Sequence, residues 1–188
     1  MTHNDIYTKF MIEYDKANVT SSYPSLTKYE VATVLDKAYN ALIAQKITGN
    51  NVRRSTFESD VKSIADLEPL VKRSSINLVA DESIQNAFQA NMPEDMLYFI
   101  KAYLKQDAKR NPMDYKRNNR DLPVTLVTHD MATKFFATAY NLPWVKIPVC
   151  FLESNVIHII YDPINIPKTE GASVVYIKQP NTFVKDSI

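Results

Sequence analysis

Two glycines in 188 residues, Gly49 and Gly171, constrain this chain more than any other feature of its sequence. Loops that cradle phosphates and dinucleotide fingerprints both gather several glycines, so that backbone approaches the ligand without a side chain in the way. Neither Gly49 nor Gly171 has a second glycine nearby. The sequence therefore argues against a P-loop nucleotidase and against a Rossmann enzyme.

The first half reads as helix. In "NDIYTKFMIEYDKA", Ile6, Phe10, Tyr14 and Ala17 recur at helical spacing while Lys9, Glu13 and Lys16 face water. Thr27 and Glu30 form a capping box, each side chain satisfying a free backbone N–H at a helix start. Val31, Val34, Leu35, Ala38, Tyr39, Leu42 and Ile43 then make a broad apolar stripe, which Gly49 closes as a left-handed cap. Ser55 and Glu58 open another helix, with Phe57, Val61, Ile64 and Ala65 on one face and Pro69 as its stop or kink. The expectation is a helical hairpin or bundle over residues 1–75.

Residues 76–188 read as mixed, mostly antiparallel strands. Pro93, Glu94 and Asp95 suit a helix's first turn, so "LYFIKAYL" is expected to be a short helical turn leading into a strand. "LPVTLVTHD" and "ASVVYIKQP" are strand-like, "MATKFFATAY" is a short intervening helix, and "KIPVCFLESNVIHIIYD" is a hairpin turning at "ESN". Pro143, Pro148, Pro163 and Pro167 point to irregular links and sheet edges. The fold class is α+β, in one domain spanning 1–188: helices first, then a small antiparallel sheet. A hydrophobic content of 45% supplies the core this requires.

Charge and cysteine counts narrow the function. With 22 Lys and Arg against 21 Asp and Glu, no long-range field draws in nucleic acid or an anionic membrane. Cys150 is the only cysteine, so no internal disulfide forms. No apolar run approaches the roughly 20 residues that span a bilayer. The opening "MTHNDIYTKF" lacks a signal peptide's apolar core, and a reducing cytoplasm is the expected site of synthesis.

Few residues suggest chemistry. Cys150 sits between Val149 and Phe151, eight residues before His158, and apolar flanks favour an inert buried thiol over a nucleophile. His129 and Asp130 are neighbours, and Thr128 or Asp130 suits a helix cap better than an acid–base pair. His3, His129 and His158 are too scattered for a zinc site. No catalytic, cofactor-binding or metal-binding residue is expected. One stretch, "KRNPMDYKRNNRD", interleaves Tyr115 with Lys109, Arg110, Lys116, Arg117 and Arg120, a pattern that grips phosphate and stacks bases. Asp114 and Asp121 dilute it, and asparagine and proline mark an exposed loop, so a solvated inter-strand loop is the expectation, with a reach to a neighbouring subunit as the alternative.

Over nearly its full length the chain resembles a structural protein of crAss-like bacteriophages. "DIYTKFMIEYDKANVTSSYPSLTKYEVATVLDKAYNALIAQKITGNNVRRSTFESD" is similar to the N-terminal portion of that family, and "LPWVKIPVCFLESNVIHIIYDP" and "VVYIKQPNTF" to its closing strands. The resemblance implies a non-enzymatic ring subunit of the virion neck and tail, a head-to-tail adaptor made in the host cytoplasm. Its implied partners are further copies of itself, the portal protein, adjacent tail or ring proteins, and double-stranded DNA passing through the lumen without sequence-specific binding; no membrane is involved. The loop from Asp107 to Asp121 and the tail "NTFVKDSI" are candidate intersubunit contacts. The alternative is a small nucleic-acid-binding protein using the basic loop 109–120.

Overall fold

A computed structural model describes residues 3–16, 26–48, 61–106, 121–136, 148–163 and 169–183. These cluster into two compact units, Met1–Pro69 with Pro180–Ile188, and Leu70–Gln179. The fold class is α+β.

The first unit holds helices α1 (His3–Lys16), α2 (Lys28–Thr48) and α3 (Val61–Leu67), the last running into a 3-10 turn at Glu68–Leu70 that contains Pro69. The capping box at the start of α2 is made: Thr27 N–H donates to Glu30 Oε2 (2.8 Å) and Glu30 N–H to Thr27 Oγ1 (3.2 Å). The Ser55–Glu58 box and the Gly49 cap lie outside the described residues. A helical hairpin is an imprecise description of α1 and α2. Tyr7 Oη donates to the Leu26 carbonyl (3.1 Å) and Lys28 Nζ to Asn4 Oδ1 (3.4 Å), which joins the start of α1 to the start of α2. A hairpin joins the end of one helix to the start of the next. Lys46 pairs with Asp66 between α2 and α3, and Phe183 N–H donates to Asp36 Oδ1 on α2. Val31, Ala32 and Ile43 are the buried residues of α2.

Strands begin at Val71, earlier than the expected boundary at 75. They are β1 (Val71–Ile76), β2 (Val79–Ala80), β3 (Ala87–Asn91), β4 (Met96–Gln106), β5 (Leu122–Leu126), β6 (Val149–Glu153), β7 (Val156–Ile160) and β8 (Thr169–Lys178). They form one eight-stranded sheet in the order β1-β8-β4-β5-β6-β7-β3-β2. All neighbours are antiparallel except β5 and β6, which are parallel at Thr125–Val149 and Leu126–Cys150. The sheet is therefore large and mixed, which corrects the expected small antiparallel one. A parallel pair requires a crossover connection, and α4 (His129–Phe136) lies in it.

The sheet curls. Laid flat, eight strands span about 34 Å, from seven spacings near 4.8 Å. Yet the two outermost strands, β1 and β2, are joined by Asn77 and Leu78 alone, a link reaching at most about 11 Å. Both ends of the sheet must therefore come together, so that β1 and β2 act as one strand bent at a corner. A second corner is β5, whose Leu122–Val124 pairs with β4 and whose Thr125–Leu126 pairs with β6. Strands that bend from one sheet region to another make such corners.

Alternation along the strands separates an inside from an outside. Ile76, Ala90, Leu104, Val124, Ile157, Val174 and Tyr176 meet within the curl as one buried cluster. On the outer side of β3, β6 and β7, Ala132 and Phe135 of α4 pack with Val149, Phe151 and Ile160. Two positive-φ residues, Ser154 (47°) and Asn155 (66°), make the β6–β7 hairpin turn, as a two-residue turn demands. Gly171, at φ 134°, lies where a Cβ would meet the Ile76 carbonyl at 3.4 Å, so this glycine serves sheet geometry.

Pro93, Glu94 and Asp95 do not start a helix. They form a turn, closed by Met96 N–H donating to the Pro93 carbonyl (3.1 Å), and β4 starts at Met96, its register with β8 shifting between Met96 and Tyr98 and between Phe99 and Lys101. Asp95 has a tertiary role instead. Its Oδ1 accepts from Tyr176 Oη (2.6 Å) and its Oδ2 from Lys72 Nζ (2.8 Å), tying β1, β8 and the start of β4 together. The bonds from Lys72 and then Tyr176 hold the Asp95 carboxyl below its usual range.

Candidate functional site

Strand parity decides what Cys150 and His158 do. In the β6–β7 register Cys150 faces Ile159 and His158 faces Phe151, so the thiol and the imidazole lie on opposite sides of the sheet. Cys150 joins the inner core, fully buried, and that burial pushes its thiol up to about 12. Such a thiol holds about a thousandfold less thiolate at neutral pH than a free cysteine. Small alkylating reagents are accordingly expected to leave Cys150 unmodified in the folded protein and to label it promptly in denaturant. Rapid labelling without denaturant, followed by mass spectrometry, would contradict its burial.

His158 belongs to an outer cluster instead. Its Nδ1–H donates to Asp81 Oδ2 (2.7 Å), and its ring stacks on Phe151 at 4.8 Å between centroids. His129, at the first position of α4, meets the same Phe151 edge-on at 5.2 Å. Thr128, not Asp130, precedes the helix, and Ala132 N–H returns to the Thr128 carbonyl. Asp81 is buried just after β2 and accepts from the N–H groups of Ser83 (2.9 Å) and Ile84 (3.2 Å). Burial raises the Asp81 pKa, but the bonds from His158, Ser83 and Ile84 together outweigh it and hold the group below its ordinary value. The Asp81–His158 pair thus fastens the short strand β2 across β3 to β7. Nothing in the sequence joined these two residues, because only the register brings them together.

A second cluster lies on the outer face of β1, β8 and β4. Alternation along β4 puts Lys101, Tyr103 and Lys105 on one side, with Tyr103 opposite Ser173 and Lys101 opposite Val175. Arg73 of β1, opposite Val175 on the other flank of β8, extends over this face. Its guanidinium donates to Ser173 Oγ through Nε (3.1 Å) and Nη2 (2.8 Å), and pairs with Asp121 just before β5. The Tyr103 ring receives Arg73 at 5.0 Å and Lys101 at 5.7 Å from its centroid. Lys105 Nζ donates to Ser75 Oγ at 3.0 Å. Two cations therefore meet one aromatic ring, and a third, Lys105, lies two residues along the same face of the strand, with Asp121 pairing Arg73.

No protein-family model and no curated protein matches this chain.

The basic loop residues Lys109, Arg110, Lys116, Arg117 and Arg120 lie outside the described residues, as do 184–188 of the tail. The loop's two attachments are described: it leaves β4 after Gln106 and returns at Asp121, the partner of Arg73. Sequence reading singled out the loop and passed over Lys101 and Lys105. The signal was present in the two-residue spacing of Lys101, Tyr103 and Lys105, once that segment is known to be a strand. Among the described residues no group of three or more His, Cys, Asp or Glu converges as a metal site.

The curl also leaves a groove at the β1–β2 corner. It has a volume of about 600 Å³ and is lined by Ser74 and Ile76 of β1, Val79, Gln89 and Asn91 on the opposite wall, and Val156. Among the described residues β1 pairs only with β8, so its other edge borders this groove.

Proposed function

We propose that this chain is a non-enzymatic subunit of a closed ring in the neck or tail of a crAss-like phage virion. In this reading it is the head-to-tail adaptor that joins portal to tail and lines the genome channel. One observation carries the proposal: each compact unit leaves an adhesive surface uncovered, and the two surfaces are unlike. The helical unit exposes Tyr29, Val34 and Leu42 along α2, at 64%, 51% and 46%. The sheet unit offers an edge of β1 that pairs with no strand among the described residues, beside the corner groove. Rings close through heterologous contacts, in which one patch mates with a different patch on the next copy. An exposed strand edge recruits a neighbouring segment through its backbone groups, and exposed apolar side chains such as Val34 and Leu42 recruit another apolar surface.

The mechanism is geometric. Lateral contacts fix the ring's closure, and the ring presents its upper and lower rims to portal and tail. The test is cryo-electron microscopy of intact virions, with the portal–tail axis reconstructed. A closed ring of this chain below the portal is the expected result, and a particle without the chain would overturn the proposal. Val34→Asp with Leu42→Asp changes exposed positions, so the variant is expected to fold, by circular dichroism, and to be missing from assembled particles. Particles that incorporate it at the normal level would show that α2 makes no contact within the ring.

A further inference from the structure

We propose that the outer face of β1, β8 and β4 is a contact surface for the phosphodiester backbone of nucleic acid, made by Lys101, Lys105 and Arg73 around Tyr103. The balanced charge of the whole chain provides no general attraction, so any anion must be met by a local concentration of cations. This face has one, with Asp121 as its only carboxylate partner among the bonds described above. The cations are also held in place. Arg73 is fixed by Ser173 and Asp121, Lys105 by Ser75, and Tyr103 draws Arg73 and Lys101 toward its ring. β4 is paired on both flanks, by β8 and β5, so binding orders no loop to form this surface.

Tyr103 defines what kind of contact this is. Its ring already takes two cations, so its role is to position charge rather than to stack on a base. Recognition then falls on phosphate and not on sequence, the contact that carries register without base information. Duplex and single strand share that chemistry, and the surface is expected to take both. Asp121 restrains it by neutralising part of Arg73.

The inference concerns the isolated chain and stands apart from ring assembly. Its test is fluorescence anisotropy with a labelled 20-base-pair duplex and a 20-nucleotide single strand of mixed sequence, titrated with the full chain at several salt concentrations. Two to three phosphate contacts predict a log–log salt slope of roughly −2 to −3 on duplex. Lys101→Gln with Lys105→Gln is expected to flatten the slope by about two and to weaken binding at least ~10-fold at low salt. Asp121→Asn is expected to tighten binding, because it releases Arg73. Neutralising Lys109, Arg110, Lys116, Arg117 and Arg120 together should leave a component that still depends on Lys101 and Lys105. The proposal is overturned by the absence of saturable binding at low salt. It is equally overturned if the double lysine variant binds as the natural chain does, or if the loop residues account for all of the affinity.

Discussion

Tyr176→Ala is expected to destabilise the sheet unit by about 4 kcal/mol, the usual cost of emptying an aromatic side chain from a packed core. The Tyr176 ring is fully buried among the inner faces of the curl. Its hydroxyl reaches Asp95 at the same time. Tyr176→Phe keeps the ring and removes only that bond, to a carboxylate that water still reaches. It is expected to cost about 1 kcal/mol. Denaturant unfolding of both variants separates packing from hydrogen bonding at one residue. Equal losses would mean that the hydroxyl, and not the ring, holds the site together.

Asp81→Ala is expected to cost about 3 kcal/mol, because it strands two backbone N–H groups and the imidazole of His158 in a buried position. Asp81→Asn keeps a carbonyl acceptor for Ser83 and Ile84 and should cost less. The effect depends on pH in a definite direction. The folded Asp81 pKa lies below its ordinary 3.8, so in the window between the two values the unfolded chain binds the extra proton. Stability therefore rises with pH there. The contribution is fully present above the unfolded value and is lost as pH falls through the folded one. The stability difference between the natural chain and Asp81→Asn, followed from pH 7 down to pH 2, should shrink below about pH 4. A difference that stays constant across that range would place the effect in shape alone.

Local signals proved legible where one segment carries its own information. The Thr27–Glu30 capping box, the stop at Pro69, the hairpin around Ser154 and Asn155, and helix α4 all depend on residues close in sequence. The misreadings involve partners. "VKRSSI" carries one buried residue, Ile76, so nothing in its composition marked β1 as a strand. Pro93–Asp95 has the chemistry of a helix start, but Lys72 and Tyr176 recruit Asp95 from across the sheet. The parallel β5–β6 pair was implicit in a strand, a helix and a strand in succession, which is the pattern of a crossover. The cation cluster needed three strands in register before Arg73, Lys101 and Lys105 became neighbours.

The position of β8 has a consequence for how the molecule is made. It lies between β1 and β4, pairing Val71 with Ile177 and Ala102 with Val174, so the inner core cannot close without it. During synthesis β1 and β4 leave the ribosome long before this shared partner does. Both then wait with unsatisfied edges, exposed to chaperones and to each other's copies on neighbouring nascent chains. Long-range pairing of this sort folds in milliseconds to seconds, slower than local helix formation. The helices can therefore be in place while the sheet is still open, and the arrival of β8 is the event that commits the chain to its final form.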